Sequence, residues 1–132
     1  GSTNLGARGL RRATVKFLCL VHVDQGAMDA LGPEEREAFD LDNREYGQWL
    51  LASDSLLAGG PLDPPATATL LRAAKGRVSM TDGPYVETKE HMGGFMLLEV
   101  RDRAEALAIA GRSPVARVGT IEVRRANEIG SE

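Results

Sequence analysis

The sequence predicts one α+β domain built from two β-α-β units that share a sheet. Three features carry this reading. Residues 15–23 and 92–100 alternate like strands yet are largely apolar on both faces, the pattern of central strands covered on two sides. Each strand is followed by a segment with helix-start signals and helix-like apolar spacing. Between the two units, Lys75-Gly76 separates two short alternating runs, as a hairpin turn does.

In the first strand Val15, Phe17, Cys19, Val21 and Val23 point one way, and Lys16, Leu18, Leu20 and His22 the other. Asp24 to Gly32 reads as a loop. Pro33 with Glu34 and Glu35 opens a helix, because proline suits the first helical position and acids complement the helix dipole. Phe39, Tyr46, Leu50 and Leu57 recur at helical spacing with Trp49 beside them, Gly47 weakens the middle, and Ser53 to Ser55 frays the end. A short strand at Leu56 to Ala58 is closed by Gly59-Gly60-Pro61, and Asp63-Pro64-Pro65 forms a stiff connector. Thr67 to Arg72 and Arg77 to Thr81 make the hairpin. In the strand from Met92 to Val100, Phe95 and Leu97 oppose Met96, Leu98 and Val100. Asp102 and Glu105 form an acidic capping box for a helix through Leu107 and Ile109 that stops at Gly111. Thr120 to Arg124 alternates, with Ile121 and Val123 inward and Glu122 and Arg124 outward.

The resulting order is ferredoxin-like, a split βαβ with an inserted β-hairpin before the third core strand. A layer of this kind covers one sheet face with its own helices, so the second apolar face predicts self-association as a homodimer. The domain is expected over residues 15–126. Residues 1–14 read as a disordered tail or an expression remnant, and 127–132 as a disordered tail.

Composition narrows the function. The chain has 132 residues, 42% hydrophobic and 27% charged, which is ordinary for one globular domain. A single cysteine excludes an internal disulfide, and with only two histidines no zinc-type spacing exists, so no metal is expected. No Gly-rich nucleotide loop or nucleophile elbow is present, and no cofactor is expected. Arg8, Arg11 and Arg12 lie in a start without acids, so the remainder holds 13 basic against 19 acidic residues, a net of −6. That acidic body argues against nucleic-acid binding. No apolar run long enough to span a membrane and no signal-peptide pattern occur, which points to a cytoplasmic protein.

The most informative stretch runs from Thr81 to Phe95. Asp82 suits an Asx-turn, Gly83 tolerates unusual backbone angles, and Gly93-Gly94 permits close backbone approach. Between these anchors lie Tyr85, Glu87, Lys89, Glu90 and His91, a polar loop of the kind that builds small-molecule sites.

The run D-G-P-Y-V-E-T-K-E-H-M-G-G-F at residues 82–95 resembles the signature of the DGPF group of the YCII-related family. V-K-F-L-C-L-V at the start, L-L-A-G-G-P-L, A-T-A-T and G-T-I-E-V-R are similar to that group as well, covering about residues 15–125. The resemblance implies a dimeric α/β barrel and no settled reaction. It also implies a contextual link to sigma-factor systems, beside which members are often encoded. The better-known branch of the family pairs a His on the first helix with an Asp just after the second. Aligned on Leu56–Pro61, those positions fall at Asn43 and Ser113, neither of which does acid–base work unaided.

Two functions are therefore expected. The first is a small-molecule enzyme using acid–base chemistry on a polar metabolite bound between the first helix and the 82–94 loop. The catalytic candidates are His22 as a proton shuttle with Asp82, Glu87 and Lys89 as polar contacts to the substrate, and Asn43, Trp49, Tyr85, Glu90 and Arg117 would bind substrate. Each has a plainer structural explanation: a turn residue for Asp82, a solvated loop for the charges, packing for Trp49 and Tyr85, a hydrogen-bonded core histidine for His22. The second is a non-catalytic ligand-binding or regulatory module linked to a sigma-factor system, favoured by the missing His–Asp pair.

Overall fold

The computed structural model describes residues 13–130; residues 1–12 of the expected N-terminal tail lie outside the described residues. Strand β1 (Val15–Asp24) leads into a short helix α1 (Gln25–Asp29), a long helix α2 (Pro33–Ala52) and strand β2 (Leu56–Pro61). A 3-10 turn at Pro65–Thr67 precedes β3 (Thr69–Ala74) and β4 (Arg77–Asp82). Strand β5 (Glu90–Val100), helix α3 (Arg103–Ala110), a second 3-10 turn (Pro114–Arg117) and β6 (Gly119–Ala126) follow.

The result is an α+β fold with a four-stranded antiparallel sheet, order β2-β5-β1-β6, and a separate two-stranded sheet made by β3 and β4. The third core strand thus lies between the first and second, as a split βαβ pair requires. In the central pair Cys19 faces Met96 and Phe17 faces Leu98, and a bulge at Val21/His22 absorbs one residue beside Gly93-Gly94. Gly119 at the start of β6 lies so close to β1 that a Cβ there would stand 2.0 Å from the His22 carbonyl oxygen.

Alternation gives the sheet two different faces. Phe17, Cys19, Met96, Leu98 and Val100 pack with Leu50 of α2 and Ala106, Ile109 and Ala110 of α3 into the core, with Val15, Val21, Ile121 and Val123 against it. By the same register Leu18, Leu20, Phe95, Leu97 and His22 belong to the face turned away from that core. Among the described residues no helix is long and apolar enough to cross a membrane.

Several boundaries differ from the sequence reading. Asp24 to Gly32 is not a plain loop: Asp24 ends β1, and its Oδ1 accepts the Ala27 N–H at 3.1 Å, capping α1. Leu57 belongs to β2 rather than to the helical stripe, and Gly59-Gly60-Pro61 continues that strand instead of closing it. The hairpin starts two residues later than expected because Thr67 closes the 3-10 turn on Pro64. At α3 Asp102 accepts the Glu105 N–H at 2.9 Å as expected. The Glu105 carboxylate, however, receives the Arg101 amide rather than that of Asp102. Positive φ at both Lys75 and Gly76 marks the tight turn that the hairpin needs.

Candidate functional site

Helix α2 enters at Pro33, with the Glu35 carboxylate accepting the Gly32 N–H at 3.0 Å, and buries Phe39 and Leu50. Phe39, Asn43, Tyr46 and Leu50 follow one helical stripe, so Asn43 is the polar exception on a face otherwise given to packing. Where this face leaves β2, a cleft of about 370 Å³ opens. Its buried wall includes Leu50, Gly94, Met96 and Ser113, and its exposed rim includes Asn43, Leu51 and Pro61. A volume above about 300 Å³ is enough for a small organic ligand.

The polar groups on this lining are few. Ser113 is buried and accepts the Val115 N–H at 3.3 Å, which leaves its hydroxyl hydrogen available for donation. Tyr46 donates its hydroxyl to the Ile109 carbonyl at 2.7 Å and lies 3.6 Å from the Met96 sulfur. Burial pushes the Tyr46 phenol up to about 12. Among the described residues the cleft has no carboxylate, histidine, lysine or arginine on its wall. Gly47 also lines it, and a side chain there would meet nothing within 4 Å.

A second, polar hollow of about 210 Å³ shares Tyr46 and is otherwise lined by Asp42, Glu45, Trp49, Arg112, Pro114 and Arg117. Trp49 stacks on Tyr46 with ring centroids 5.8 Å apart, and the Arg112 guanidinium lies 3.8 Å from the centre of a Trp49 ring. Arg117 pairs with Asp42 at 2.9 Å.

The residues singled out in the sequence are thus distributed over separate places. Asn43 borders the apolar cleft, while Trp49 and Arg117 border the polar hollow. His22 stands on the opposite sheet face, where its Nε2 lies 2.9 Å from Glu122, whose other oxygen receives Arg124 at 3.1 Å. Asp82 ends the exposed strand β4, and Tyr85 and Glu87 are exposed in the loop that follows. Lys89 reaches back 3.5 Å to Asp24, whose carboxyl is held below its usual range first by the Ala27 amide and also by this ammonium. Glu90 begins β5, with Thr120 at 3.4 Å. The 82–94 loop contributes only its final residue, Gly94, to the cleft.

Sequence reasoning left Tyr46 and Gly47 out of the site and used Ser113 only as an aligned position. A usable signal existed for two of the cleft's members. Asn43 and Gly47 interrupt an apolar helical stripe, and such interruptions mark places where a helix face meets space rather than side chains. Ser113 offers no such signal, because its approach to α2 depends on how the turn after α3 folds back. Among the described residues, no group of three or more His, Cys, Asp or Glu is arranged to hold a metal ion.

Comparison with known proteins places these features in a family. The sequence model of the YCII-related domain matches residues 15–129. An uncharacterized protein of Rhizobium meliloti (strain 1021) is 30% identical over 110 residues, spanning 82% of this chain and 89% of its own length.

Proposed function

This chain belongs to the YCII-related domain family, and from that premise we propose that it is a ligand-binding module for a small, mainly apolar molecule bearing one hydrogen-bonding group. The ligand enters between α2 and the β2 edge. Its body rests on Leu50, Leu56 and Met96, and its polar group meets Ser113 in the wall or Asn43 at the rim. The observation that carries this reading is the chemistry of the lining: apolar walls, two neutral hydrogen-bonding side chains, and a tyrosine whose proton is committed to Ile109. Such a site recognises without supplying a base, and proton transfer needs a group that titrates near the working pH.

The experiment is a thermal-shift screen with small aromatic and aliphatic compounds that carry a single hydroxyl, carbonyl or amide. A ligand at about 100 times its Kd stabilises by about 2.7 kcal/mol. The expected result is a shift in the wild type that Gly47→Leu abolishes by filling the cleft and Asn43→Ala or Ser113→Ala reduces. A panel without shifts, or shifts that survive Gly47→Leu, overturns the reading.

A catalytic reading attaches to a different place. His22, oriented by Glu122, is the arrangement in which a carboxylate fixes an imidazole tautomer for proton transfer. Turnover lost in both His22→Asn and Glu122→Gln, but kept in Gly47→Leu, would favour that reading over simple binding.

A further inference from the structure

Beside the apolar cleft, and sharing only Tyr46 with it, lies the polar hollow between α2 and the turn after α3. One wall is a single helical stripe. Asp42, Glu45, Tyr46 and Trp49 stand at i, i+3, i+4 and i+7 along α2, so two acids and two aromatic rings face the same way. The other wall is the chain from Arg112 to Arg117, which brings both arginines to the hollow with the buried Pro114 between them in sequence.

That second wall is held firmly. Ser113 N–H donates to the Ala110 carbonyl at 3.1 Å, the Ser113 hydroxyl oxygen accepts the Val115 N–H at 3.3 Å, and Val118 N–H donates to the Val115 carbonyl at 2.9 Å. The aromatic stack fixes Arg112 in turn. Its guanidinium lies 3.8 Å from the centre of a Trp49 ring, Trp49 stacks on Tyr46, and Tyr46 is tied to Ile109. A guanidinium held by a ring is oriented before any ligand arrives, so it loses little side-chain entropy on binding one.

The four charges of the hollow are not used alike. Arg117 and Asp42 form a closed pair at 2.9 Å. Among the described residues, Arg112 has the Trp49 ring but no carboxylate partner, and Glu45 has no cationic partner. The hollow therefore offers one open positive group and one open negative group. A lone anion meets the repulsion of Asp42 and Glu45, and a lone amine meets that of both arginines. A molecule with a carboxylate at one end and an ammonium at the other satisfies both open groups with charge-assisted hydrogen bonds. The volume of about 210 Å³ limits that molecule to a small one.

We propose that this hollow is a second ligand site, separate from the apolar cleft, that takes a small amino carboxylate with its carboxylate on Arg112 and its ammonium on Glu45.

Trp49 is the only tryptophan of the chain and lines the hollow, so its indole N–H resonance reports binding there. The full chain is titrated with glycine, β-alanine, γ-aminobutyrate and δ-aminovalerate, which differ in the spacing of their two charges. Acetate and propylammonium are titrated separately at matched ionic strength. A saturable shift is expected with at least one amino carboxylate and with neither single-charge probe at the same concentration. Glu45→Gln and Arg112→Gln should each weaken binding by about tenfold, the loss of one charge-assisted contact. Both side chains are exposed, and an unchanged far-ultraviolet circular dichroism spectrum checks that each variant folds. Arg44→Gln, exposed on the same helix but outside the hollow, should bind as the wild type does. A series without any saturable shift overturns the proposal. Acetate bound as tightly as the best amino carboxylate overturns it too, as does wild-type affinity in Glu45→Gln or Arg112→Gln.

Discussion

Asn43 of α2 and Ser113 at the head of the turn after α3 border one cleft, the first exposed at its rim and the second buried in its wall. The two lie far apart in sequence and meet only because the chain after α3 folds back toward α2. These are the positions where the resemblance to the better-known family branch would place an acid–base pair. An amide and a hydroxyl there can donate and accept hydrogen bonds to a guest, but neither titrates in the physiological range.

Gly47 lies inside α2, where glycine costs about 1 kcal/mol relative to alanine. The space beside it is open, so Gly47→Ala should raise stability by about 0.5–1 kcal/mol, read from urea midpoints at constant m-value. A loss of stability would show that the backbone at Gly47 cannot accept a side chain.

Tyr46→Phe removes the hydroxyl that donates to the Ile109 carbonyl and so loosens the joint between α2 and α3. A destabilisation of about 1 kcal/mol is expected, since the Ile109 carbonyl keeps the Arg112 amide as a second donor. Equilibrium unfolding of the two proteins measures it directly; equal stability would mean that the bond contributes nothing net.

Cys19 is fully buried in the core, and desolvation pushes its thiol up to about 11 from 9.0. It should be inert to thiol reagents in the native protein and label at the rate of unfolding. The unfolded thiol ionises first as pH rises, so this group's contribution to stability is intact below about pH 9 and is lost progressively toward pH 11. Tyr46, shifted in the same direction from 10.0 to about 12, extends that loss upward. Urea midpoints across this alkaline range should fall, and the thiol's share of the fall should vanish in Cys19→Ala.

Gly119→Ala should behave in the opposite way to Gly47→Ala. Its Cβ would lie 2.0 Å from the His22 carbonyl oxygen, a backbone atom within the β1–β6 ladder that cannot swing aside. A loss of about 1–3 kcal/mol is expected from the forced shift between the strands. Wild-type stability in this variant would mean that β6 pairs more loosely with β1 than the register indicates.

The His22–Glu122 pair is partly exposed, with side-chain accessibilities of 26% and 41%. A double-mutant cycle with His22→Ala and Glu122→Ala should therefore give a coupling below about 1 kcal/mol. A larger value would mean that this sheet face is shielded from solvent in the working state of the protein.

The elements and their order were legible in the sequence because each rests on local chemistry. Alternation at 15–23 and 92–100 marked the central strands, Pro33 and Asp102 marked the helix starts, and Lys75-Gly76 marked the hairpin turn. The errors were local as well: Asp24 capped a five-residue helix, too short to show a helical period, and Leu57 had a helical spacing but a strand's place. Side-chain orientation on β1 was also readable, since a period of two sends Cys19 and His22 to opposite faces whatever the surroundings. Only the tertiary structure decided which residues share a site. His22, Asn43, Arg117 and Lys89 are all polar candidates in sequence, yet the sheet separates His22 from the cleft, Tyr46 stands between the cleft and the polar hollow, and Lys89 turns to Asp24. Periodicity specifies a side chain's direction relative to its own element. Its neighbours are set by the packing of elements distant in the chain, and that packing brought Ser113 to the same cleft as Asn43.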